Sequence, residues 1–180
     1  MLLPKVPVIE FNNFILREIN LDSDVERYYE YMSKSEVTKF LADSIKVSSM
    51  EKARQDLTYW HDITKQGYTI YWCVADKNTN KMIGNAGFNY INQAKNKASI
   101  SYDLHSDYWG QGIMSRAVEK ICDLANKDLS IKIIEANVAI NNLRSIKLLK
   151  KNGFLFSGII KNYAILDMQL TDVEEYIKVY

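Results

Sequence analysis

Two glycines one residue apart stand in Tyr108-Trp109-Gly110-Gln111-Gly112-Ile113-Met114-Ser115, between a strand-like run and a helical one. Upstream, Ser99-Ile100-Ser101-Tyr102-Asp103-Leu104 alternates polar and apolar residues; downstream, Ile113, Ala117, Ile121 and Leu124 recur at helical spacing. A helix starting at such a turn leaves backbone N–H groups without intrahelical partners and gathers partial positive charge. A phosphate can therefore bind there without a lysine, and glycine lets it approach closely. The bare pattern Gly110-x-Gly112 also describes an ordinary loop between strand and helix, so the surroundings decide.

Other side chains with chemical potential are few. Cys73 and Cys122 are the only cysteines, each in an apolar segment with no Cys or His at ligand spacing, which argues against a disulfide framework or a zinc site. With only His61 and His105 beside them, no metal centre is expected, and both thiols read as buried and structural. Asn142 and Ser145 are placed to share one face of a short helix. Asp103 alternates onto the face of Ser99 and Ser101, where a solvated edge carboxylate and a working one both remain open.

The elements that must position these residues belong to one expected domain, 1–180. Its hydrophobic fraction of 47% and charged fraction of 25% are those of an ordinary globular chain. Lys and Arg exceed Asp and Glu by 23 − 22 = +1, so no global field favours nucleic acid or an anionic membrane. The first residues lack a charged region followed by an apolar one, and no apolar run is long enough to span a bilayer. A cytoplasmic protein without membrane or nucleic-acid partners is expected, as a monomer or homodimer. Residues 1–10, with Pro4 and Pro7, read as a loosely attached N-terminus.

In chain order, Phe14 to Ile19 reads as a strand, and Asp22-Ser23-Asp24 offers caps to a helix through Val25, Tyr28, Tyr29 and Met32. Ser35 to Leu41 connects to a second helix, opened by Ser48-Ser49-x-Glu51 in the manner of a capping box and running to Gly67. Tyr68–Asp76, Met82–Phe88 and Ala98–Leu104 form an antiparallel series joined by polar turns. A helix from about Gly112 to Lys127 and a strand from Ile131 to Val138 complete a βαβ unit, so the last two strands should be parallel neighbours. A helix from Asn141 to Gly153 and a closing hairpin, Leu155–Tyr163 with Val173–Tyr180, follow. The expected fold is a mixed α/β sheet, mostly antiparallel with one parallel pair, flanked by helices.

That order of elements, with the glycine turn at the central strand-to-helix junction, resembles the Gcn5-related N-acetyltransferase superfamily. Ser35-Glu36-Val37-Thr38-Lys39-Phe40-Leu41, the glycine turn, Asn142-Leu143-Arg144-Ser145 and Leu149-Lys150-Lys151-Asn152-Gly153-Phe154 resemble its RimJ/RimL-like ribosomal-protein N-terminal acetyltransferase branch. The superfamily's phosphate turn is Gln or Arg, two residues, Gly, one residue, then Gly or Ala. Trp109, Gly112 and Met114 stand there, and Trp-Gly-x-Gly is a form the Rim branch uses. The resemblance implies acetyl-coenzyme A as cosubstrate without a metal. Its pyrophosphate would lie on the turn Trp109, Gly110, Gln111, Gly112, Ile113, Met114 and Ser115. Its arm would lie on backbone at Asp103 and Leu104 and on Asn142 and Ser145.

Moving an acetyl group from a thioester to an amine needs a route for the amine proton, donors for the carbonyl oxygen and a proton for the thiolate. The resemblance makes Ser145 the candidate acid, although Asn142 also suits an N-cap and Ser145 a first-turn polar position. Some Rim-type enzymes carry a glutamate at the position of Ser99, and serine cannot replace it as a base. The nearest carboxylate on the strand is Asp103; His105 acting through water and an unassisted α-amine are the alternatives. Glu36, Tyr102 and Tyr163, with Tyr176, are candidate acceptor contacts. The acceptor is expected to be an amine: the N-terminal Ala or Ser of a ribosomal protein, or alternatively a polyamine or aminoglycoside. A non-catalytic acyl-coenzyme A sensor and a plain nucleotide-binding module are the rival classes.

Overall fold

The computed structural model describes residues 5–180. Among them, eight strands form one sheet in the order β1-β2-β3-β4-β5-β6-β8-β7. They are β1 (Ile9–Phe11), β2 (Phe14–Arg17), β3 (Tyr71–Asp76), β4 (Met82–Asn92), β5 (Lys97–Leu104), β6 (Ile133–Ala139), β7 (Leu155–Leu166) and β8 (Gln169–Val179). Neighbours are antiparallel except β5 and β6, the parallel pair joined through α4 (Ile113–Leu129). The mixed fold expected from the element order is therefore found.

Helices cover both faces. α4 and α5 (Leu143–Lys151) pack on one face with Trp72, Val74, Ile100 and Leu104, while α1 (Asp24–Met32) and α3 (Met50–Lys65) pack on the other with Tyr71, Cys73 and Ala75. A short helix, α2 (Ser35–Thr38), links α1 to the segment before α3. Successive residues of a strand point to opposite faces, so β3, covered on both sides, is buried from Tyr71 to Ala75 instead of alternating. Among the described residues no helix is long and apolar enough to cross a membrane.

Three local expectations differ from the structure. Residues 1–4 lie outside the described part, but 5–10 are not loose: Ile9 and Glu10 pair with Leu16 and Ile15, and the Trp72 indole donates to the Pro7 carbonyl at 2.9 Å. Ser23 stands at the N-cap of α1 as expected, but its side chain makes no cap hydrogen bond; Asn20 Oδ1 instead accepts from Asp22 N and Ser23 N, and Asp24 is occupied in a bidentate pair with Arg17. Ser49 caps α3 by accepting from Lys52 N; the residue three on is thus lysine, and no carboxylate reciprocates as a capping box requires.

The feature that matters for function is an opening in the sheet. β5 and β6 pair only at Lys97↔Ile133, Ala98↔Ile134 and Ser99↔Glu135. Beyond that level β5 stays with β4 as far as Gly84↔Leu104, and β6 stays with β8 as far as Ala139↔Val173. The two strands diverge as a V whose apex lies at Ser99 and Glu135. A bulge in β4 between Phe88 and Tyr90 sits beside the same apex, where its added twist turns β5 away.

Candidate active site

The mouth of the V meets the glycine turn. Gly110 and Gly112 adopt φ of +77° and +75°, the left-handed region, and a Cβ at either would meet open space. The glycines are thus required by backbone conformation while the space beside them stays clear. Gly112 caps α4 with no side-chain hydrogen bond. Ile113 and Met114 bury their side chains in the core, and the Gln111 amide donates to the Asp107 carbonyl at 3.1 Å. What the turn presents outward is backbone N–H, with the helix dipole behind it. Ser115 is engaged elsewhere: its Oγ accepts from Asn152 Nδ2 at 3.0 Å, tying α4 to the end of α5.

The face of β5 toward α4 and α5 carries Ile100, Tyr102 and Leu104. Tyr102 and Ser145 share a hydrogen bond of 2.8 Å between hydroxyls, and the Ser145 N–H donates to Asn142 Oδ1 at 3.2 Å. Asn142 is therefore the N-cap of α5, and its carbonyl end is used in that role. Trp109 braces the turn, its indole donating to the Leu104 carbonyl at 2.8 Å while the Arg144 guanidinium lies 4.1 Å over its ring. Burial pushes the Tyr102 phenol well above its usual range, so it stays a neutral donor or acceptor.

The opposite face, toward α1 and α3, carries Ser99, Ser101 and Asp103. Asp103 Oδ1 accepts from the Tyr31 phenol at 2.6 Å and from the Asn85 backbone N–H at 3.3 Å. Burial pushes its carboxyl up to about 7 against the lowering effect of those hydrogen bonds. Asp103 is thus no solvated edge residue, because β5 is a central strand roofed by α1. Ser101 Oγ donates to Asn89 Oδ1 at 2.7 Å and is hydrogen-bonded to the Tyr71 phenol. At the apex, Glu135 is buried beside Ser99, ion-paired with Lys97 at 2.5 Å and accepting from the Tyr90 phenol.

Of the expected acceptor contacts, Tyr102 and Tyr176 lie on the face of the sheet opposite Asp103. Tyr102 lies on the Ser145 side of the sheet, opposite Asp103, so alternation removes it from an acceptor wall on the Asp103 face. Tyr176 is core, its phenol donating to Glu174 at 2.6 Å. Glu36 accepts from Ser106 Oγ at 3.2 Å, at the approach to the glycine turn. Tyr163 is 52% exposed, on the stretch of β7 between Ile160 and Ala164 where pairing with β8 is irregular. His105 is buried, its Nδ1 accepting from the Asp107 N–H at 3.1 Å and its Nε2 lying 3.3 Å from Lys34 Nζ, so both ring nitrogens are engaged within the fold. Both thiols are buried, Cys122 pushed up to about 12, so neither is a nucleophile at neutral pH. Tyr31, Asn85 and Glu135 belong to the site and carried no sequence signal, since each reaches it by long-range pairing.

A helix N-terminus for a phosphate at the mouth of a gap, hydroxyls on one face of the gap and a carboxyl on the other, together define an acyltransferase architecture. Residues 13–155 match the family model described as acetyltransferase (GNAT) domain, and the chain belongs to that family of N-acetyltransferases. It is 34% identical over 158 residues to the uncharacterized N-acetyltransferase p20 of Bacillus licheniformis, covering 88% of each chain. The ribosomal-protein-S5-alanine acetyltransferase of Vibrio fischeri superposes with a TM-score of 0.83 at 25% identity over 96% of both chains. The fold is also that of the ribosomal L7/L12 alpha-N-protein acetyltransferase RimL, solved in complex with coenzyme A: TM-score 0.86 at 22% identity, covering 96% of this chain and 98% of that one.

Proposed function

We propose that the protein transfers an acetyl group from acetyl-coenzyme A to a primary amine by direct attack in a ternary complex. The observation that carries this reading is the V between β5 and β6, open at the glycine turn and bordered by Ser145 on one face and Asp103 on the other. The pyrophosphate would rest on backbone N–H at Gly112 to Ser115, with the pantetheine arm in the V beside Asn142 and Ser145. The acceptor enters from the Asp103 face, so nucleophile and thioester meet across the gap.

Each bond change then has a named residue. The amine nitrogen bonds to the acetyl carbon, and its surplus proton passes to Asp103, whose carboxyl is half ionised near pH 7. The C–S bond breaks, and Ser145, in contact with the Tyr102 phenol, relays a proton to the departing thiolate and is itself reprotonated from solvent, which takes up the proton held by Asp103 when the products leave. Backbone N–H groups along the unpaired part of β5 are the nearest donors for the carbonyl oxygen as it gains charge.

The favoured acceptor is the N-terminal Ala or Ser of a ribosomal protein. What supports it is the likeness to the Vibrio fischeri enzyme, whose name gives an alanine of ribosomal protein S5 as acceptor. The deciding experiment measures free-thiol release from acetyl-coenzyme A with Ala- and Ser-starting peptides, polyamines and aminoglycosides, alongside coenzyme binding. Turnover with the peptides upholds the reading, and turnover with the small amines alone replaces its acceptor. Coenzyme binding with no turnover leaves an acceptor outside the panel or a sensor, and equal affinity for ADP and coenzyme A identifies a nucleotide module.

A further inference from the structure

The glycine turn carries no cation of its own: Tyr108 to Ser115 holds neither lysine nor arginine. A pyrophosphate diester bears two negative charges, and backbone N–H groups answer them with partial charge only. Cations reach the flanks of the turn from either side. Lys34 lies 3.3 Å from His105 Nε2 and 3.9 Å from Asp107, and Arg116 is paired with Glu119 at 2.7 Å, so each already faces a carboxylate. Arg144 is different. Its guanidinium lies 4.1 Å over the ring of Trp109, the residue that leads into Gly110. Among the described residues no carboxylate is within ion-pair reach of it and its side chain donates no hydrogen bond, while the residue as a whole is exposed.

Arg144 also stands where a cation is unwelcome. It is the second residue of α5, and a positive charge in the first turn opposes the helix dipole. Trp109 holds it there. The indole N–H is spent on the Leu104 carbonyl at 2.8 Å, so the ring is a fixed platform with no donor left for a phosphate. Stacking on that ring uses the face of the guanidinium and leaves its in-plane N–H edge free, the fork of donors that matches phosphate oxygens. The tryptophan supplies position, and the arginine supplies the charge that the turn lacks.

Resting on the acetyltransferase reading, we propose that Arg144, held on Trp109, binds the pyrophosphate of acetyl-coenzyme A: its guanidinium donates to the same anion that the turn holds by backbone N–H. It is a cosubstrate-binding residue and takes no part in the bond changes at the thioester. The coenzyme has a second phosphate source, the 3′-phosphate on its ribose, and the test separates the two.

The Kd is measured without acceptor for wild type, Arg144→Met and Arg144→Lys, against coenzyme A and against dephospho-coenzyme A, which lacks the 3′-phosphate, at low and high salt. Met keeps an unbranched stem over the indole and removes the charge. Arg144→Met should raise both Kd values alike, about tenfold, the loss of one charge-assisted contact, and its affinity should depend less steeply on salt than that of wild type. Its melting temperature should hold or rise, since a cation has left the first turn of α5. Arg144→Lys keeps the charge without the fork, and its Kd should fall between the two. A loss confined to coenzyme A would move Arg144 to the 3′-phosphate and overturn the proposal. Unchanged Kd values would overturn it, as would a lower melting temperature with the wild-type salt dependence, the mark of a packing role. Wild type that binds neither coenzyme would overturn the reading of the glycine turn and the proposal with it; effects confined to the variants judge the proposal alone.

Discussion

The Tyr31 phenol on α1 donates to the Asp103 carboxylate on β5 at 2.6 Å, locking the first helix onto the strand that borders the opening. Burial and this bond act on the carboxyl in opposite directions, and burial wins, leaving it at about 7. As a base Asp103 must be ionised, so kcat/KM should rise with pH through an inflection near 7. Asp103→Asn should lower kcat about a hundredfold and abolish the inflection, whereas Tyr31→Phe should move it to higher pH. An Asp103→Asn enzyme with the wild-type pH profile would remove the residue from the proton route.

The same group has a stability signature. Its folded pKa of about 7 lies above the ordinary 3.8, so between those values the folded chain holds more proton than the unfolded one. Stability contributed by Asp103 therefore falls as pH rises from about 4 to about 7 and is level above. Melting temperatures of wild type and Asp103→Asn across that range should differ in slope, with the variant flatter.

At the glycine turn, conformation and charge can be separated. Gly112→Ala meets no neighbouring atom but must hold φ at +75°, a cost of about 1–2 kcal/mol in stability. Gly112→Asp tolerates that backbone better and sets a negative charge where the pyrophosphate should lie. Its KM for acetyl-coenzyme A should rise tenfold or more, well beyond that of the Ala variant. Equal KM values in two folded variants would dismiss the turn as a phosphate site.

Tyr102 and Ser145 should act as a unit, since their hydroxyls are 2.8 Å apart. Tyr102→Phe and Ser145→Ala should each lower kcat more than they alter coenzyme binding, and the double variant should be little worse than Ser145→Ala. Strictly additive losses in the double-mutant cycle would show independent roles.

Asp43, between α2 and α3, accepts from the backbone N–H of Asp167 at 3.1 Å and of Met168 at 2.9 Å, and Lys46 reaches Asp167 at 2.6 Å. This clasp holds the tip of the β7–β8 hairpin. Asp43→Ala should speed amide exchange at Asp167 and Met168 while leaving coenzyme affinity unchanged; unaltered exchange would show that the tip is held without it.

Much of the molecule is legible in local signals. Ile113, Ala117 and Ile121 announce α4 by spacing, Asn142 announces α5 as its cap, and Gly110 and Gly112 mark a turn that the structure holds at positive φ. β1 escaped notice because Ile9 to Phe11 is too short to show alternation and is a strand only through its pairing with β2. The face of Tyr102 was open to inference from its alternation with Asp103, but the identity of what covers each face was not.

The sequence by itself determined the order of elements, the parallel crossover and the phosphate-ready helix start, because periodicity, caps and glycine conformations are properties of neighbouring residues. Only the tertiary structure decided where β5 leaves β6, that Tyr31 and Asn85 enclose Asp103, and that Arg144 stacks on Trp109 beside the glycine turn. Those depend on contacts between residues far apart in the chain. Burial, which sets the state of the Asp103 carboxyl, exists only once the layers have packed.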